Sequence, residues 1–116
     1  MTAREESRAI PAHVRWAVDD RDSQICRVCG EFLGPQRALH HIFFGGGSGP
    51  GMGGRRVHEV GNVITVGWHF PHRDCHRLVH TDKGLYQPVL AYLASGGPGT
   101  GGQTAVAVLR RQGAWR

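Results

Sequence analysis

Residues 37–51 read RALHHIFFGGGSGPG: a short apolar run that ends in two adjacent histidines, His40 and His41, before a glycine-rich loop. The run predicts a strand over about 37–43. Successive side chains on a strand point to opposite faces, so the two imidazoles diverge and each needs its own partners. Residues 45–54, GGGSGPGMGG, carry almost no side chains to pack and read as a flexible connection. Beyond it, Gly61-Asn62 reads as a turn, and the β-branched run Val63–Val66 predicts a second strand over about 62–67. A helix over about 75–82 follows, in DCHRLVHTD. On it, His76 and His80 are four residues apart and share one face, a spacing at which two imidazoles can chelate one divalent ion.

The chain of 116 residues predicts one small domain, and 18 glycines leave it short of core-forming side chains. Small domains bury little surface and often need a metal or disulfide staple. The cysteines are Cys26, Cys29 and Cys75. An odd number argues against a closed disulfide framework, and paired cysteines in a reducing compartment more often hold metal. Cys26-x-x-Cys29 lets two thiolates reach one ion from a tight turn that Gly30 helps to close, and Cys75 is the third candidate ligand. The fourth is His72, in His72-x-x-Cys75, or His69. A structural zinc site of three cysteines and one histidine would join two distant segments and supply the staple.

The formal net charge is +5, and all the basic residues but Lys83 are arginine. Arginine suits bidentate phosphate contacts, so the charge fits a polyanionic partner, although solubility alone also accounts for it. The polar start lacks a signal-peptide core, and no apolar run is long enough to span a membrane; both point to a cytoplasmic protein with no membrane partner.

Elsewhere, residues 1–10 read as a disordered lead. IPAHVRWAVDDRD reads as a short helix with Pro11 near its first turn, although Val14, Trp16 and Val18 also alternate. GLYQPVLAYLAS reads as a second helix with Leu85, Val89, Leu90 and Leu93 on its apolar stripe and Pro88 in its first turn. Residues 96–116 read as a glycine-rich linker and basic tail, either a strand or loose. In it, Arg110, Arg111, Trp115 and Arg116 could meet nucleic acid or a partner. His13 and His58 read as ordinary surface or core residues.

The ordered set CRVC, LHHI, a glycine-rich loop, GNVITV and CHRLVH resembles the HNH endonuclease family over about residues 15–82. The resemblance implies an α+β fold: a ββα-metal finger (the His-Me finger) within residues 11–95, braced by a zinc knuckle and flanked by short helices. It implies His41 as general base and Asn62 as the residue that holds the loop and orients that base. His40 and His76 would be ligands of a catalytic divalent cation, and His80 a further ligand or a phosphate contact. Magnesium, manganese, nickel or zinc could fill that site to different degrees. The implied activity is metal-dependent hydrolysis of DNA phosphodiester bonds, with Arg37, Arg55, Arg56, Arg73 and Arg77 as candidate phosphate contacts. Small free-standing members are often carried by bacteriophages, some acting in the host cytoplasm beside DNA-packaging terminase subunits. The alternative is a zinc-stapled nucleic-acid-binding module that does not cleave.

Overall fold

Val14 and Val18 decide the first element. They lie one helical turn apart and both are buried, whereas Trp16 between them is 70% exposed, so the helical period wins over the alternating one. The computed structural model describes residues 10–43, 59–68, 74–96 and 101–113. Helix α1 spans Ala12–Asp22, with Pro11 as its N-cap, where the missing N–H costs nothing. It ends on two successive non-glycine residues in the left-handed region, Ser23 (φ 56°) and Gln24 (φ 58°). That backbone is strained for L-residues, and it turns the chain sharply into the Cys26–Cys29 segment.

Strand β1, Ala38–His41, pairs antiparallel with β2, Val63–Val66. The register sets Leu39 opposite Thr65, His40 opposite Ile64 and His41 opposite Val63. The predicted strands are therefore present and shorter at both ends than the sequence suggests. A 3-10 turn over Val60–Asn62 leads into β2, as the Gly61-Asn62 pair implies. Helix α2 spans Cys75–Thr81, and the Asp74 side chain caps it by accepting from the Arg77 N–H at 3.1 Å. Helix α3 follows over Lys83–Ala94, and α4 over Ala105–Arg111 is capped by Thr104, whose Oγ1 accepts from the Ala107 N–H.

The two faces of the sheet serve two clusters of buried side chains. Leu39 and Val63 pack with Ile10, Val14 and Val18 on the α1 side. Ala38, Ile64 and Val66 face the larger core, which holds Cys26, Cys75, Val79, Tyr86, Leu90, Leu93, Ala105, Val108 and Leu109. The result is a small α+β unit, a two-stranded antiparallel sheet with helices on both faces.

Three sequence expectations change here. The lead does not extend to residue 10, because Ile10 is buried against α1; residues 1–9 lie outside the described residues. Pro88 is not in the first turn of α3 but is its sixth residue. There it removes a backbone hydrogen bond to Gly84, a loss offset by the burial of Tyr86, Leu90 and Leu93 around it. The segment 96–116 is not simply a linker and loose tail. Residues 105–111 form a helix whose Ala105, Val108 and Leu109 belong to the main core. The α4 N-terminus is tied to the cysteine turn, since Ala105 N–H donates to Arg27 O (2.7 Å) and Val106 N–H to Val28 O (3.2 Å).

Candidate metal centres

Cys26 and Cys29 sit on a tight turn closed by the antiparallel bridge between Ile25 and Phe32. Cys26 N–H donates to Glu31 O and Gly30 N–H donates to Cys26 O, both at 2.8 Å. Gly30 has φ +90°, a conformation that glycine alone adopts without strain, which accounts for glycine just after the second cysteine. The third cysteine, Cys75, is the first residue of α2 and arrives from 46 positions further along the chain than Cys29. The three Sγ atoms all lie within 4.8 Å of one another. Tetrahedral zinc with Zn–S bonds of about 2.3 Å sets its sulfurs roughly 3.8 Å apart, so three thiolates here fit one such ion.

The chemistry of the cluster agrees. Cys29 is pushed up far above the ordinary thiol value, first by its hydrogen bond with Cys26 and then by burial. For Cys26, the hydrogen bond with Cys29 acts downward, but the Cys75 hydrogen bond, burial and the Cys75 charge outweigh it. Three thiols this close resist ionising together unless a cation supplies the countercharge. Gly67 N–H also donates to Cys26 Sγ at 3.4 Å, a contact that favours a thiolate. His69 and His72, the candidates for the fourth ligand, lie outside the described residues.

A second cluster forms on the core face of the sheet. His40 on β1 meets His76 and His80 on α2, with ring centroids 5.3 and 4.8 Å away and rings nearly perpendicular. His76 Nε2 and His80 Nε2 are 3.1 Å apart, and one nitrogen from each of the three rings falls within the same 4.8 Å. Three nitrogens bonded to one tetrahedral ion at about 2.0 Å would be roughly 3.3 Å apart, so this set also fits a transition metal. His40 and His76 are buried and His80 is partly exposed, which leaves the cluster one open side. The structure thus brings His40, His76 and His80 together, and it keeps them apart from the cysteines although Cys75 and His76 are neighbours. One turn of helix explains this, because adjacent residues project about 100° apart. Gly67 ties the two groups: its N–H serves Cys26 Sγ and its carbonyl accepts from the His76 N–H at 2.8 Å.

His41 takes the opposite sheet face, with Leu39 and Val63, and is fully buried. Asn62 grips the chain just beyond it. Its Oδ1 accepts from the Phe43 N–H (3.0 Å) and its Nδ2 donates to the Phe43 carbonyl (3.1 Å), closing a two-bond clamp between the turn before β2 and the exit from β1. Gln87 on α3 adds a bond to the Ile42 carbonyl at 3.0 Å.

Among the candidate phosphate contacts, Arg37 makes a bidentate ion pair with Asp19 of α1. Arg77 projects from the exposed side of α2. Arg55, Arg56 and Arg73 lie outside the described residues, as do Trp115 and Arg116.

Sequence reasoning missed the polar centre of the molecule. Asp22, whose side chain is fully buried, accepts from Arg21 Nε (2.7 Å), Arg21 Nη2 (2.9 Å), Arg27 Nη1 (2.6 Å) and the Thr65 N–H (3.1 Å). In sequence, DDRD is only the end of a short predicted helix. No local signal tells its last aspartate from the others, because the arginine and the strand that bury it come from elsewhere.

No family model matches this chain, and neither a curated protein nor a solved structure matches it.

Proposed function

We propose that this chain is a metal-dependent phosphodiester hydrolase of the HNH type that nicks DNA. The observation that carries the reading is the second cluster. A stapled binding module needs one metal site, and the cysteines already offer it, yet β1 and α2 converge three more imidazoles beside it. His40, His76 and His80 would hold the catalytic cation, and Cys26, Cys29 and Cys75 the structural zinc, with His72 or His69 as its fourth ligand. A cation held by three imidazoles supplies charge stabilisation at the scissile phosphate and the leaving 3′-oxygen. His41 is the general base: a ring nitrogen without a proton can take the proton of the attacking water. Asn62 holds the backbone at Phe43, two residues past His41, and so limits where the base can lie. Arg77 contributes a phosphate contact directly, while Arg37 would have to exchange its Asp19 carboxylate for a phosphate. DNA is the expected partner, with terminase subunits as a second if the enzyme is phage-borne and works in a host cytoplasm. No described helix is long and apolar enough to cross a membrane.

The second reading is a zinc-stapled nucleic-acid-binding module without cleavage. Its support is the burial of His41, since a base must reach water and this one becomes exposed only if the chain around it opens. Cleavage of supercoiled plasmid decides between the two. Wild type and His41→Ala, matched for bound zinc, are run with EDTA and with magnesium, manganese, nickel or zinc. Nicking that needs an added cation and disappears in His41→Ala supports the hydrolase. Wild type that is inert with every cation but retards DNA in a gel supports the binding module.

A further inference from the structure

Arg21 uses the whole hydrogen-bonding capacity of a guanidinium, five N–H donors in a rigid plane. Two go to Asp22, at 2.7 and 2.9 Å. The other three go to main-chain carbonyls: Val60 at 2.7 Å, Val63 at 2.6 Å and Ala94 at 3.0 Å. Val60 opens the 3-10 turn and Val63 is the residue just after it, so the two carbonyls bracket Gly61 and Asn62. Ala94 is the last residue of α3, where a carbonyl has no partner inside its helix. Asp22 fixes the guanidinium from behind and also holds the Thr65 N–H on β2.

We propose that Arg21 is a positioning residue for Asn62: it sets the curvature of the Val60–Asn62 turn, and through the Asn62–Phe43 clamp it sets where the chain runs beyond His41. The geometry needs arginine itself. Lysine keeps the charge beside Asp22, but one ammonium cannot serve Asp22 and both bracketing carbonyls in a single plane. The side chain is only 13% exposed and is spent on the protein, so it has nothing left to offer a phosphate. Its influence on catalysis therefore runs through Asn62, and that consequence rests on the hydrolase reading above. The link from Arg21 to Phe43 does not.

The test is amide hydrogen exchange, read residue by residue on the zinc-loaded protein, for wild type, Arg21→Lys, Asn62→Ala and the double variant. In Arg21→Lys the Phe43 amide is expected to exchange about tenfold or more faster, with the Gly30 amide of the cysteine turn and the Ala105 amide that donates to it little changed. On the Asn62→Ala background, Arg21→Lys should add nothing at Phe43, because the clamp it acts through is gone. Phe43 exchange unaltered by Arg21→Lys, accelerated only in step with Gly30 and Ala105, or accelerated equally without Asn62 overturns the proposal. Should Arg21→Lys fail to fold, native-state exchange of wild type decides: the Arg21 Nε–H and the Phe43 amide should open together, and a Phe43 that opens while Arg21 stays closed refutes the link. In plasmid nicking, Arg21→Lys should lower kcat about tenfold to a hundredfold with KM little changed. A wild type that never nicks removes the hydrolase reading, while the exchange result still judges Arg21.

Discussion

Asp22→Asn probes the polar centre without changing its shape. The carboxylate accepts four hydrogen bonds, two on each oxygen, and its side chain is fully buried. An amide keeps one accepting oxygen. Its NH2 group then either faces Arg21 Nη2 and the Thr65 N–H, donor against donor, or displaces Arg21 Nε and Arg27 Nη1. Two hydrogen bonds to a charged acceptor are lost, at about 1.5–3 kcal/mol each, or about 3–6 kcal/mol together. Removing one member of a buried ion pair gives a similar figure of about 3–5 kcal/mol. A chain of this length has roughly 6–17 kcal/mol in all, so the variant should still fold but with a Tm lower by roughly 10–25 °C. The assay is urea unfolding with zinc in excess, followed by tryptophan fluorescence, with an unchanged slope required before the midpoint is read as stability. A loss below about 1 kcal/mol would mean that the network is satisfied without the charge, and the reasoning about a polar centre would be refuted.

The cysteine cluster should bind zinc with release of the Cys26 and Cys29 protons, because both thiols are held protonated in its absence. Since both are pushed upward, the apparent affinity should rise with pH and weaken steeply on acidification. Calorimetry in buffers of different ionisation enthalpy reads the protons, and an affinity flat with pH counts against thiolate ligation. His76→Ala should weaken cobalt or nickel binding at the histidine cluster by about a hundredfold or more, beyond the effect typical of outer-shell partners, while leaving the cobalt–thiolate absorption of the cysteine site in place. Loss of both signals would show that the two groups form one site. Deleting residues 101–116 should destabilise the zinc-loaded protein by about 3–6 kcal/mol through Val108 and Leu109 alone, and an unchanged unfolding midpoint would return the segment to the status of an appendage.

Some of this molecule is written locally. Alternation along a strand separates His40 from His41, and the helical period sets His76 beside His80 and Val14 beside Val18. A tight turn with Gly30 brings Cys26 to Cys29. These are rules of short-range backbone geometry, and a sequence states them without reference to anything distant. Joining Cys75 to Cys26 and Cys29 reaches across distant segments, and the structure brings the three thiols within 4.8 Å of one another, a set that could bind a metal such as zinc. The pairing of His76 with His80 is legible from their spacing of four on a helix, whereas the approach of His40 to both is what the family resemblance implies and the structure brings about.

What stayed hidden depends on surfaces that meet only in three dimensions. Residues 96–116 read as a glycine-rich linker and basic tail, either a strand or loose, yet the N-terminus of α4 hydrogen-bonds to the cysteine turn and its apolar side joins the main core. Pro88 looks like a helix start because a proline inside a helix sacrifices a hydrogen bond; burial around it outweighs that loss. Arg37 reads as a candidate phosphate contact until α1 brings Asp19 against it, and nothing local marks Asp22 as the carboxylate that Arg21, Arg27 and β2 enclose. The sequence by itself determined which side chains can serve a metal and on which face of their own element each one lies. The tertiary structure decided which arginines are already spent, that the base candidate His41 is buried, and that a guanidinium with five bonds braces the turn bearing Asn62. A charge or a carbonyl takes its meaning from the partner that packing brings to it, and local spacing carries no record of that partner.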